Sequence, residues 1–312
     1  MMQILLEKPA HKRVLRQTFS AFIRSNNHHP VKIPAMTPDE YCQQKAAQRG
    51  SSFYYSVLFL DAPRRQALAA LQALRLELAE VVDATADENA ARIKLAWWRH
   101  EVGQMFHGNP QHLVTRALAP CLARYHIRHE QVDQMVDGME MDLLQTRYLD
   151  FHALERYCDL VSGAAEHCAA AILGWEQEAA PAWARHLGTA IELTRIIRDT
   201  GGDARRGRVY FPGNELQQFN VPVADILNGR YSNSFNQLMQ FQHDRAQTCF
   251  DRALAALPQA SRKAQRAALV KLRLHRTLLD EMRAGGFQVL YQRTSLTPVR
   301  KLWLAWKTWV TA

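Results

Sequence analysis

The chain has 312 residues, with 39 Lys and Arg against 30 Asp and Glu and a formal net charge of +9. Its five scattered cysteines include no C-x-x-C pair, which argues against a disulfide framework or a zinc site and for a reducing, cytoplasmic setting. No apolar run approaches the length of a membrane span, and no motif for nucleic-acid binding accompanies the basic charge.

Only 14 Gly and 12 Pro interrupt a sequence rich in helix formers, so the expectation is one all-α domain large enough for a core and a cavity. Residues 1–36 carry six Lys or Arg against Glu7 alone and read as a basic, flexible extension ahead of a domain over 37–312. Their Arg-rich, acid-poor composition is also that of an organelle transit peptide. A short helix is predicted over Asp39–Gly50, started by Thr37 or Asp39. Ser51–Leu60 is aromatic and apolar and locally compatible with a strand. Asp61-Ala-Pro opens a helix reaching about Ala84, with Leu68, Leu71, Leu74 and Leu78 at helical spacing. Helices follow over Asn89–Phe106, Gln111–Tyr125, Glu130–Thr146, Phe151–Leu173 and Pro181–Thr200, the last loosened by Gly201-Gly202. After a Pro212-Gly213 turn come short helices to about Leu227, then Ser234–Leu257, Ser261–Ala284 and Pro298–Val310.

The chemistry concentrates in IELTRIIRDTGGDARRGRVYFP, from Ile191 to Pro212. Asp199 and Asp203 stand four apart and share one helical face. Hard carboxylate oxygens suit Mg²⁺, which is held by one or two carboxylates together with substrate phosphates. Arg198, Arg206 and Arg208 offer forks that fit phosphate oxygens. The pattern points to a diphosphate bridged by magnesium; the bland alternative is a solvated acidic turn followed by a basic loop.

Two further clusters stand out. Asp133, Asp137 and Glu140 fall on one helical face, read as a solvated acidic surface rather than a metal site. Trp303, Trp306 and Trp309 stand three apart among Arg300, Lys301 and Lys307, as indoles do at a membrane interface; packing onto the body as core is the alternative. The 13 histidines show no H-E-x-x-H spacing, and His28-His29 belongs to the basic extension.

The segment from Ile191 to Pro212 resembles the second aspartate motif of the squalene and phytoene synthase family. GSSFYYSVLFL at 50–60, IKLAWWRHEV at 93–102, DGMEMDLLQTRY at 137–148 and GGFQVLYQRTSLTPVRKLWLAW at 285–306 are similar to that family in the same order, nearest to its bacterial hopanoid-pathway, presqualene diphosphate-forming branch. The resemblance implies an all-α isoprenoid synthase fold around a central cavity, with Ser51–Leu60 helical. It implies head-to-head condensation of two farnesyl diphosphates, with Mg²⁺ held between two acidic clusters.

Residue by residue, the family pattern assigns Asp199 and Asp203 to metal and catalysis, and Arg198, Arg206, Arg208, Tyr210 and Ser52 to the diphosphates. Ser52 also reads as a helix start. The departures are as specific as the matches. Arg195 replaces a family asparagine, Glu192 a glutamine and Gly202 an acid. In the first cluster Glu80 and Asp83 keep two acids in kind, but Ala79 removes an aspartate, Leu76 an arginine and Gln72 a tyrosine, and Asp159 stands for another family tyrosine.

These changes lead to the expectation of impaired condensation and weakened or absent Mg²⁺ binding. Arg75, Arg195 and Arg198 would take over diphosphate charge, with Arg195 able to pair with Glu192 three residues away. The alternatives are a non-catalytic prenyl-lipid-binding or assembly relative, as in a respiratory-complex assembly factor that resembles these synthases without their acidic motifs, and a protein docked on the inner membrane face.

Overall fold

Short polar side chains mark where the helices begin. Ser51 Oγ accepts from the Tyr54 amide at 3.0 Å, Asp61 Oδ1 from Arg64 at 3.0 Å, Asp150 Oδ1 from Ala153 at 2.9 Å and Ser232 Oγ from Phe235 at 3.0 Å. In this computed structural model residues 36–85, 87–175 and 181–312 are described. Met36 apart, the basic extension expected over 1–36, with His28-His29, lies outside them.

The elements are α1 (Pro38–Ala46), α2 (Ser52–Val57), α3 (Ala62–Ala84), α4 (Glu88–Phe106), α5 (Leu113–Arg124), α6 (His129–Leu144), α7 (Phe151–Cys158), α8 (Ala164–Ile172), α9 (Ala182–Arg205), α10 (Gly213–Gln218), α11 (Val223–Leu227), α12 (Asn233–Ala256), α13 (Arg266–Ala284) and α14 (Pro298–Thr311). No strand occurs among the described residues. Within Ser51–Leu60 the stretch Ser52–Val57 is helical, in keeping with the family resemblance and against its local propensity: Tyr55 and Val57 are buried, so packing decides. Residues Pro38–Ala312 form one compact unit.

α9 is the spine of that unit. Leu187, Ala190, Leu193, Ile196 and Ile197 are all buried along it, and it packs against α12, α13, α8 and the turn between α7 and α8. That turn corrects the expected continuous helix over Phe151–Leu173: Asp159–Gly163 forms a wider π-turn. Glycines make room for it. A Cβ on Gly188 would lie 2.6 Å from Gly163, and one on Gly138 would lie 2.8 Å from the Val161 side chain.

Gly201-Gly202 corrects a second expectation, since α9 runs unbroken through both to Arg205. Gly201 is there for close approach. Its amide donates to Val289 O at 3.2 Å, and a Cβ would sit 2.0 Å from Leu290 O. The segment preceding α14 thus lies directly against the helix that carries both aspartates. Near Ser261 the expected helix start is a short 3₁₀ turn, and α13 begins at Arg266.

Gly201→Ala is expected to displace the 289–290 backbone and cost about 2–3 kcal/mol, whereas Gly202→Ala, whose Cβ meets only Arg205 at 3.9 Å, should stabilise by about 0.5–1 kcal/mol. Urea unfolding of the two variants checks the contrast.

Candidate functional site

The C-terminal half of α9 presents Glu192, Arg195, Arg198, Asp199 and Asp203 over three turns. Glu192 is only 1% exposed. Ser162 Oγ, carried by the π-turn, donates to its Oε2 at 2.6 Å, and Arg195 Nε donates to its Oε1. The pairing expected between Arg195 and Glu192 is therefore present. Arg195 Nη1 also reaches Asp203 Oδ2 at 3.3 Å, and its guanidinium lies 5.0 Å from the Tyr210 ring centre. Its Nη2 is buried without a hydrogen-bond partner.

Both aspartates are held by arginines. Arg198 forks onto Asp199 at 2.9 and 2.5 Å, and Arg293 Nε adds a bond of 2.8 Å. Arg206 Nη2 donates to Asp203 Oδ1 at 2.6 Å. The same nitrogen lies 3.4 Å from Asp83 on α3, which Arg208 also meets at 3.3 Å. Arg208 continues to Val82 O at 3.3 Å and to Asp142 on α6 at 3.7 Å, and Tyr210 donates to Asp142 at 2.7 Å. A continuous series of ion pairs and hydrogen bonds thus runs from Ser162 to Tyr210 and ties α3, α6 and α9 together.

Not every residue predicted for the site joins it. Glu80 turns to α1, where Lys45 Nζ holds it at 2.6 Å and Glu77 at 3.1 Å, so of the first acidic cluster Asp83 alone meets the α9 network. Leu76 and Ala79 pack against the hydrophobic core. Arg75 donates to Gln72 at 3.3 Å, and its charge acts on Glu192 and His275. The cap of α2 is Ser51, with Ser52 the first helical residue. Asp133, Asp137 and Glu140 are not simply solvated: Arg99 of α4 bridges all three at 2.6–3.0 Å.

Other residues arrive from outside the motif. Lys301 of α14 donates to Gly50 O at 2.7 Å, just before α2. His275 of α13 is enclosed, its Nδ1 without a partner. Burial and the cations Arg198, Lys271, Arg75 and Lys301 hold it down to a pKa of about 3. Tyr210 stacks with Tyr148 and Tyr157 at centroid distances of 6.0 and 5.4 Å, those two meet tilted at 5.6 Å, and Tyr210 is the ring that faces Arg195. Arg293 and Lys301 stand in the family-like segment 285–306 and Asp142 in the one at 137–148, so their family resemblance was a usable signal; Ser162 and His275 had none.

The carboxylates feel opposite forces. Burial raises Asp199, but Arg198 and Arg293 outweigh it and bring the group down to about 2. Burial also raises Glu192, and Arg195 with Ser162 reverses the shift downward. For Asp203 and Asp142 burial prevails over the neighbouring arginines and the shift is upward.

Two small cavities among the described residues each hold about 10 Å³, room for about one water molecule. The first is lined by Trp183, Leu187 and Leu272, the second by Phe53, Leu68, Glu166 and Lys271. Neither touches an α9 aspartate, and both fall below the roughly 300–1,000 Å³ of a drug-sized ligand pocket. Neither is the central chamber implied by the resemblance.

Residues 46–300 match the squalene/phytoene synthase family. A 15-cis-phytoene synthase of Synechococcus elongatus is 34% identical over 275 residues, covering 84% of this chain and 89% of that protein. A phytoene synthase of Arthrospira platensis is 32% identical, covering 87% and 93%. Among solved structures, a dehydrosqualene synthase superposes with a TM-score of 0.76 at 21% identity, covering 87% of this chain and 95% of that one. The squalene synthase HpnC of Alicyclobacillus acidocaldarius superposes with a TM-score of 0.68 at 21% identity, covering 80% and 94%.

Asp199 titrates lower folded than unfolded, so its contribution is present above the unfolded value near 4 and is lost as pH falls through about 2. Asp199→Asn is expected to cost about 2 kcal/mol at neutral pH, with the gap to the parent closing between about pH 4 and pH 2. Denaturant titrations across that range measure it.

Proposed function

The chain belongs to the squalene/phytoene synthase family, and from that premise we propose that it binds a prenyl diphosphate such as farnesyl diphosphate at the arginine-rich end of α9, while its head-to-head condensation of two such molecules is impaired. The observation that carries this reading is that Asp199, Asp203 and Asp83 each already accept from guanidinium groups.

The residues present do not fit the magnesium cluster implied by the family resemblance. Such a cluster needs carboxylate oxygens from two facing helices. On α3, Ala79 offers no oxygen and Glu80 is drawn to Lys45. On α9, Arg195 sits between Glu192 and Asp203, and a fixed guanidinium repels a cation at 4 Å by about 4 kcal/mol per unit charge at an effective dielectric of 20.

The same arrangement suits an anion. Arg198, Arg206 and Arg208 carry donors fitted to phosphate oxygens, and both N–H groups of Arg195 Nη2 are unused. Tyr148, Tyr157 and Tyr210 supply an aromatic wall beside them. Condensation asks more than binding: the departing diphosphate must be neutralised in the transition state, and loss of one charge-stabilising group there costs several kcal/mol, or orders of magnitude in rate.

Farnesyl diphosphate is expected to bind with an affinity that changes less than about threefold when Mg²⁺ is replaced by EDTA, measured by calorimetry; loss of binding on chelation would refute the proposal. Radiolabelled farnesyl diphosphate and its C20 homologue should turn over orders of magnitude below an active relative assayed alongside. Arg195→Asn alone would strand buried Glu192 and cost about 3–5 kcal/mol, so the repair must be joint. The combination Leu76→Arg, Ala79→Asp, Glu192→Gln and Arg195→Asn is expected to raise condensation in Mg²⁺ at least tenfold.

A further inference from the structure

α14 has two apolar sides. Toward the body lie Leu304 and Ala305, both buried, and Trp309, which meets Phe59 at 5.7 Å and lies beneath Arg266 at 5.7 Å. Away from the body lie Val299, Leu302, Trp303, Trp306 and Val310, each between 44% and 79% exposed. At 100° per residue these five fall within a stripe about 100° wide, centred opposite Leu304 and Ala305. A stripe of that width is what a helix needs to seat one face on a core, and here a body-facing side already serves that purpose. An exposed apolar stripe with two indoles marks an interaction surface.

The charge around it selects the partner. Ser261–Ala312 contain eleven Lys and Arg against Asp280 and Glu281 alone, an excess of nine that equals the net charge of the whole chain. From Met282 onward there is no acid at all. Lys307 lies with its Nζ 4.9 Å from the Trp303 ring centre and flanks the stripe, making no ion pair among the described residues. Arg266 lies at the far end of the helix, 3.4 Å from Ala312 O. Trp at the depth of the headgroups, with long basic side chains reaching outward beside it, is the composition of a helix lying in a lipid interface. No helix among the described residues is long and apolar enough to cross a membrane.

We propose that the outward face of α14, built on Val299, Leu302, Trp303, Trp306 and Val310, docks this protein in the plane of an anionic lipid bilayer, with Lys307 and its basic neighbours on the headgroups. The stripe lies on the helix that follows the segment packed on Gly201, so docking brings the α9 site to the surface in which prenyl chains dissolve. The proposal rests on the helix face and its charge, and stands independently of whether the α9 site binds a diphosphate.

The test is flotation of the full chain with phosphatidylcholine vesicles that contain or lack phosphatidylglycerol, with tryptophan fluorescence read in parallel. The chain is expected to float with the anionic vesicles, with a blue-shifted emission and a weakening as salt rises. Trp303→Gln with Trp306→Gln should lower the bound fraction at least tenfold, and Lys307→Glu should weaken binding to anionic vesicles while leaving binding to neutral ones unchanged. All three side chains are exposed, so thermal midpoints should stay with the parent and report folding. Anionic-vesicle binding that the double variant leaves unchanged overturns the proposal. So does a chain that ignores vesicles and instead forms a dimer dissociated by the same double variant, which would assign the face to a second copy.

Discussion

The ion pair between Glu192 and Arg195 governs the site. A carboxylate that is 1% exposed tolerates its charge only when partnered, and Arg195 and Ser162 provide the partners. Once Arg195 is fixed by Glu192, its other nitrogen falls on Asp203, Arg206 completes Asp203, and the charge passes to Asp83, Arg208 and Asp142. By resemblance the family places a neutral glutamine and asparagine where this chain has Glu192 and Arg195. The two departures are therefore one exchange, an ionic pair for a polar one, and buried Glu192 depends on Arg195 for its charge partner.

The fold holds this exchange in place through backbone proximity rather than through the charges themselves. Gly188 lets α9 close on the π-turn that delivers Ser162, and Gly201 lets the segment before α14 close on α9 and bring Arg293 to Asp199. A buried network is worth keeping only when its members are satisfied. Arg195 Nη2, Tyr148 Oη and His275 Nδ1 are exceptions nearby, and at His275 Arg198, Arg75 and Lys301 add positive potential. Burial first, and then these cations, disfavour a second positive charge at His275.

Much of the architecture was legible along the chain because helix starts and apolar spacing are local. Asp61 and the Leu68–Leu78 repeat need no distant partner to be read. What escaped depended on what another segment does. Gly201 looks like a helix breaker until Leu290 is found against it. Glu80 looks like a partner of Asp83, three residues on, until Lys45 claims it from α1. The acids at 133, 137 and 140 look solvated until Arg99 arrives from α4. The three tryptophans of α14 share a spacing, yet Trp309 rests on Phe59 while Trp303 and Trp306 face outward. In the site itself, Asp199, Asp203, Arg198 and the Glu192–Arg195 pair were readable because they lie on one helix. His275 and Ser162 were not, because they reach it only through tertiary packing.

The central claim is that guanidinium groups have taken over the carboxylates that relatives would offer to metal. Its most direct test is to titrate the protein with Mn²⁺, as a spectroscopic substitute for Mg²⁺, in the presence of a non-hydrolysable farnesyl diphosphate analogue, counting bound ions by electron paramagnetic resonance. The account predicts that the analogue binds while Mn²⁺ stays free in solution. Stoichiometric uptake of three Mn²⁺ per chain, with the analogue bound only when they are present, would contradict it.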